Sequence, residues 1–245
     1  MKTGGWFLKL AGGLAAGLFF LILIYWLSGQ SKPTSKFLSE AKKLRQDNRQ
    51  AALALPTGQV ELVRRGGRDD FYWGKLGAKA ELVVYSDFDC SFCAAYFKIL
   101  ERVKNEFGDQ VAIVFRHYPL ATHPNAVLSA QAFECARDQD RASEMATKLF
   151  DNQGKSDNNV TSFLNLARDL GLRESQFKDC LSSEKYLPRV LEQKEEAKRF
   201  GVIGSPSSFL NGKPLPGAYQ FEDFSDATGR QYEGLKTLIN KEIEK

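Results

Sequence analysis

The 245-residue chain is poor in the side chains that bind metals, with only two histidines and four cysteines. That is too few for a zinc-rich domain or a small scaffold stapled by disulfides. It shows no internal repeat and no low-complexity tract. It also lacks a basic body. Residues 1–58 carry eight lysines and arginines against two acids, a net +6, whereas residues 59–245 come to −2. A nearly neutral body gives no electrostatic footprint for nucleic acid. What is present is ordinary for a packed protein, 43% hydrophobic and 26% charged. At about 150 residues per domain, the length allows one large or two small domains.

The first local feature is a run without charge from Leu10 to Leu27. At 1.5 Å per residue it reaches roughly 27 Å, about the hydrocarbon thickness of a bilayer. Trp6 lies before it, and Tyr25 and Trp26 close it, where interfacial rings are favoured. A cleaved signal peptide is the alternative. However, Ser28-Gly29-Gln30 is a weak cleavage site and no cysteine follows for lipid attachment. The expectation is an uncleaved single-pass anchor at 10–27 after a cytoplasmic segment at 1–9. Lys2, Lys9 and the terminal amine on one side balance Lys32, Lys36 and Lys42 on the other, so charge leaves the orientation open. Residues 28–58 read as a helix-compatible stalk that Pro56-Thr57-Gly58 ends.

The folded domain is expected over 59–245. Gln59–Val63 alternates like a half-buried strand. Glu81–Tyr85 and Val111–Phe115 are apolar runs, as in strands buried on both faces. Between them Phe92, Tyr96, Leu100, Val103 and Phe107 recur at helical spacing, and Gly108 marks the stop. Strand, helix and strand so arranged predict a βαβ unit with a parallel pair, hence an α/β fold. A helical block follows from Pro124 to Phe200. A short strand at Ser207–Leu210 then runs into the Asn211-Gly212 hairpin signal, and a last helix is expected over about 221–244.

The chemistry concentrates at Cys90-Ser91-Phe92-Cys93, where strand gives way to helix. Asp89 is a plausible N-cap there. Three-residue spacing in a first helical turn brings two sulfurs within reach of a disulfide. Cys90 would sit at the positive end of the helix dipole as an exposed nucleophile, with Cys93 more covered as the resolving thiol. Chance alone puts two of four cysteines three apart in roughly 5% of such chains, so the strand-to-helix junction is what makes the motif specific. A structural disulfide and half a zinc site are the alternatives; zinc would need two more ligands, and Cys135 and Cys180 are isolated. His117 and His123 read as local hydrogen-bonding residues and receive no role.

The segment Val83–Cys93 resembles the active-site segment of DsbA-like thiol–disulfide oxidoreductases, which have a thioredoxin fold. Further segments agree in order: Phe115–Leu120 with His123–Ala126, then Ala132–Ala136, then Gly201–Gly212. The resemblance implies a thioredoxin fold with a helical insertion at about 122–200. It also implies a cis bond before Pro206, with the Ser205 backbone pairing an extended substrate. Cys135 and Cys180 are then expected to form an insertion disulfide. Such a bond favours an N-in anchor with the domain outside the cytoplasm. The function implied is insertion of disulfides into exported proteins, with recycling by a DsbB-like or vitamin K epoxide reductase-like membrane partner and with no organic cofactor or metal. The alternatives are a reductase or isomerase using the same pair, or a non-enzymatic binding module. Two departures bear on the direction. Ser91-Phe92 replaces the Pro-His of the strongest oxidants while Asp87 and Asp89 add negative charge nearby, which points to a less oxidising pair. In addition, Val84 stands six residues before Cys90, where related enzymes often bury an acid.

Overall fold

The computed structural model describes residues 63–153 and 159–245. The expected membrane span and stalk lie outside them, and among the described residues no helix is long and apolar enough to cross a membrane.

The two apolar runs become the centre of a mixed sheet, strands β2 (Ala80–Ser86) and β3 (Val111–His117). They pair in parallel with Ala80 opposite Val111. Parallel neighbours need a long crossover, and α1 (Ser91–Phe107) provides it. Its buried stripe is Cys93, Tyr96, Phe97, Leu100, Val103 and Phe107. Phe92, expected on that stripe, is instead 70% exposed, because Cys93 and Phe97 take the core-facing positions. Gly108 stops the helix at φ +52°, a left-handed conformation that glycine adopts without penalty.

Strand β4 (Ser207–Leu210) lies antiparallel to β2 with Ser207 opposite Tyr85, and β5 (Lys213–Pro216) forms the outer edge beyond it. Asn211 and Gly212 both take positive φ in the turn between them, as the hairpin signal requires. On the far side, β1 (Phe71–Gly74) pairs antiparallel with β3, giving the order β1-β3-β2-β4-β5. No strand occurs at Val63, and Gln59–Leu62 lie outside the described residues. The fifth strand comes from Phe71–Gly74, whose Trp73 packs on Phe97 and Phe115.

Both faces of the sheet are covered, which is why its central strands are nearly continuous in apolar residues. Leu82, Val84 and Ile113 join α1 and the insertion helices in the main core. Val83, Tyr85, Val114 and Phe209 face Ala197 and Val202 on the other side. The insertion comprises α2 (Ala126–Arg137), α3 (Ala142–Asp151), α4 (Val160–Asp169), α5 (Glu174–Ser182) and α6 (Leu187–Arg199). A disulfide joins Cys135 of α2 to Cys180 of α5, with Cα atoms 5.9 Å apart.

The expected long terminal helix is shorter. A hairpin of β6 (Phe224–Ser225) and β7 (Gln231–Tyr232) precedes α7 (Leu235–Ile243). Asp226 explains the break. Its Oδ1 accepts the backbone N–H groups of Thr228 at 2.8 Å and Arg230 at 3.1 Å, bonds that compete with helix formation.

Candidate active site

The register places the site. Because Ser207 pairs with Tyr85, the residues just before β4 lie beside those just after β2, where α1 begins. Ser205 and Pro206, joined by a cis peptide bond, therefore sit against Cys90. The Cys90 thiol donates to the Ser205 carbonyl at 3.5 Å. A second tie holds the two elements in place, since Tyr96 Oη of α1 lies 2.9 Å from Ser208 Oγ of β4.

Cys90 and Cys93 are both free thiols. The helix begins at Cys90 itself, whose extended backbone (φ −95°, ψ 119°) makes it the N-cap. This corrects the expectation for Asp89, whose carboxylate turns to the insertion and accepts the Asn125 N–H at 3.1 Å and the Ser129 hydroxyl at 3.4 Å. With no capping side chain, the free N–H groups of the first turn are available to Cys90. A hydrogen bond from the Cys93 thiol, helped by the backbone N–H groups of Cys93 and Phe92, lowers the Cys90 pKa to about 6. Burial and the Asp87 charge oppose that shift. Burial, and then the hydrogen bond to Cys90, push Cys93 far up. The asymmetry gives one sulfur poised as thiolate and one held as thiol.

Exposure is lower than the sequence suggested. Cys90 keeps only 5% of its surface and Cys93 1%. Cys90 nonetheless opens on a surface cleft of about 550 Å³ that Phe92, Leu120, His123 and Ser205 also line. A neighbouring groove of about 600 Å³ runs along the Pro206 loop past Val202, Ile203, Phe209 and Leu215. Phe92 and the 95% exposed Ile203 are large apolar side chains left in solvent near this mouth.

The sequence reading missed Asp87. Val84 leaves no acid six residues before Cys90, but Asp87, the first residue beyond β2, is buried and its backbone N–H donates to Cys93 Sγ at 3.4 Å. Its carboxylate accepts the N–H groups of Asp89 and Leu120, each at 2.8 Å, and faces His123 Nδ1 at 2.8 Å. An aspartate three residues before the first cysteine of the pair was the available signal, but it read only as an opposing charge. His117 lies elsewhere, buried against Glu134 at 2.9 Å. Among the described residues no cluster of three or more potential metal ligands occurs.

A family model described as thioredoxin matches residues 68–228. Among solved structures, BdbD from Bacillus subtilis in its oxidised form superposes with a TM-score of 0.61 at 19% identity, over 75% of this chain and 98% of that one. The thiol-disulfide exchange protein alpha-DsbA2 from Wolbachia pipientis gives 0.57 at 16%, over 72% and 87%. MdbA, a thiol-disulfide oxidoreductase from Actinomyces oris, gives 0.53 at 17%, over 60% and 80%. These likenesses are of fold. Curated relatives include the Na(+)/H(+) antiporter NhaA 1 of Mycolicibacterium vanbaalenii, 35% identical over 146 residues, 58% of this chain and 23% of that protein. The chain spans about a quarter of the length of the antiporters it matches, and antiport belongs to those proteins.

Proposed function

The chain belongs to the thioredoxin family, and from that premise we propose that it is a protein thiol–disulfide oxidoreductase that introduces disulfides into exported proteins through Cys90 and Cys93. The observation that carries this reading is the Cys90 thiol at the head of α1, 3.5 Å from the carbonyl of Ser205 in the cis-Pro206 loop. In the oxidised state, a substrate thiolate attacks Cys90 Sγ and the Cys90–Cys93 bond breaks. Its electron pair leaves on Cys93, whose high pKa makes it take up a proton at once. A second substrate thiolate attacks the substrate sulfur of the mixed disulfide and expels Cys90. A thiol with a pKa of about 6 leaves readily as thiolate at neutral pH. The substrate ends with a new disulfide and the enzyme with two electrons and a reduced pair.

Substrate is held, in this reading, by strand addition. Main-chain groups at Ser205 would pair with an extended segment, while Phe92 and Ile203 offer apolar contact at the mouth. The Cys135–Cys180 bond supports an oxidising compartment. With the apolar run at 10–27, it leads to a domain tethered outside the cytoplasm by an N-in anchor. The reduced pair would then be reoxidised by a membrane partner of the DsbB-like or vitamin K epoxide reductase-like type. The charge of Asp87 beside Cys90 favours a weaker oxidant than the strongest relatives, and so keeps a reductase or isomerase as the second reading.

Equilibrium titration of the pair against glutathione separates these. An oxidase should poise between about −120 mV and about −200 mV, whereas a value near about −270 mV, where thioredoxin lies, would assign the reductase.

A further inference from the structure

His123 is the one imidazole that lines the Cys90 cleft among the described residues, and it reaches the cleft from a loop that neither the redox pair nor the cis-proline uses. Its ring is held from behind. Nδ1 lies 2.8 Å from Asp87 Oδ2, and the Asp87 side chain is sealed from solvent while the imidazole is 26% exposed. Both Asp87 oxygens already accept backbone N–H groups, Oδ1 from Asp89 and Oδ2 from Leu120. The carboxylate therefore acts as acceptor, and Nδ1 is the donor. In the neutral ring, that tautomer leaves the lone pair on Nε2, the far nitrogen. A buried carboxylate fixing the tautomer of a half-exposed imidazole is the arrangement of a base and its orienting group. The dipeptide between the cysteines, Ser91-Phe92, supplies no titratable group. Among the described residues, the titratable groups lining the cleft are Asp89, Cys90 and His123, with Asp87 behind the ring.

We propose that His123, oriented by Asp87, is a catalytic residue that takes the proton from a substrate thiol entering the cleft and so generates the thiolate that attacks Cys90. The step balances. The S–H proton passes to Nε2, the thiolate forms a bond to Cys90 Sγ, the Cys90–Cys93 bond breaks with its electron pair on Cys93, and the imidazolium proton returns to solvent as Cys93 is protonated. In reverse, the imidazolium protonates a departing substrate thiolate. This role rests on the redox reading above and adds a residue to it.

The test uses the oxidised 245-residue chain and a small dithiol peptide with thiol pKa values of about 8.5. His123→Asn keeps a donor to Asp87 in the place of Nδ1 but removes the far nitrogen. At pH 7 the variant should oxidise the peptide at least about tenfold more slowly. Above about pH 9, where the peptide ionises unaided, it should approach the unmutated rate. A merely structural loss would lower the rate at every pH.

The unmutated chain provides a second measurement. Without a base, the rate at pH 7 should fall about sixfold between monothiol probes of pKa about 7 and about 9, the lost thiolate outweighing its gain in nucleophilicity. With a base, that fall should be absent. Unchanged rate and pH profile in His123→Asn, or a sixfold fall in the unmutated chain, would overturn the role of His123. If Cys90→Ser abolishes oxidation in the same series, the redox reading survives that failure; if oxidation persists in Cys90→Ser, the redox reading itself falls.

Discussion

The molecule holds two cysteine pairs built from the same atoms in opposite settings. Cys90 and Cys93 are three residues apart on one helical turn, next to a surface cleft, with hydrogen bonds that pull their proton affinities apart. Cys135 and Cys180 are 45 residues apart, on two different helices of the insertion, and are joined in its core. A short-range pair at a helix start closes and opens with little backbone movement, and it has a route to solvent. A long-range pair between packed helices constrains the unfolded chain and offers no thiolate to a visitor. Placement, more than residue type, separates a pair free to exchange from a pair that braces.

The largest effect expected breaks the comparison at the Cys90 and Cys93 pair. Cys90→Ala should lower thiol oxidation of a reduced test protein by more than about 10³-fold, as loss of a nucleophile does, with little change in melting temperature. Unchanged oxidation would favour a binding module. Replacing Cys135 and Cys180 together by alanine should do the converse. Closing a loop of that length stabilises by roughly 4 kcal/mol in the chain-entropy model, so the double variant should melt roughly 10 °C lower and keep its glutathione equilibrium. The smallest effect is a matter of pH. Thiolate absorbance of the reduced chain should titrate near pH 6, vanish in Cys90→Ala and persist in the alanine double variant. The folded pKa of Cys90 lies below that of a free thiol, so its stabilising contribution to the reduced form is complete above about pH 8.5 and is lost as pH falls through about 6. Cys93, shifted up, stays protonated across that window and adds nothing to it. Denaturant unfolding of reduced chain against pH measures the slope.

What the sequence disclosed follows the range of the interactions involved. β2, α1 and β3 were legible because period and burial are local, and because Gly108 and the Asn211-Gly212 turn announce themselves by residue type. The edge strand at Phe71–Gly74 was not, since four residues ending in glycine have no alternation to read and gain their conformation from pairing with Phe115 to Ala112. The last helix was drawn too long because the Asp226 turn depends on side-chain bonds to the backbone, which hydrophobic spacing ignores. At the site, the Cys90-Ser91-Phe92-Cys93 spacing at a strand-to-helix junction could be read directly, whereas the Ser205, Pro206 and Cys135–Cys180 assignments came through family resemblance. The link from Asp87 to His123 spans 36 positions and brings together two residues that in isolation read as an unfavourable charge and a local hydrogen-bonding imidazole.

One consequence follows from the outer strand β5. In the antiparallel pair, Lys213 and Leu215 pair with Leu210 and Ser208, while Pro214 and Pro216 alternate with them along the edge. Proline has no amide hydrogen, so the outward-facing donors of this rim are missing. An exposed sheet edge with free donors is a template on which another chain can add a strand and aggregate. Here that margin is blunt, and an incoming polypeptide finds no ladder to extend on this side of the molecule.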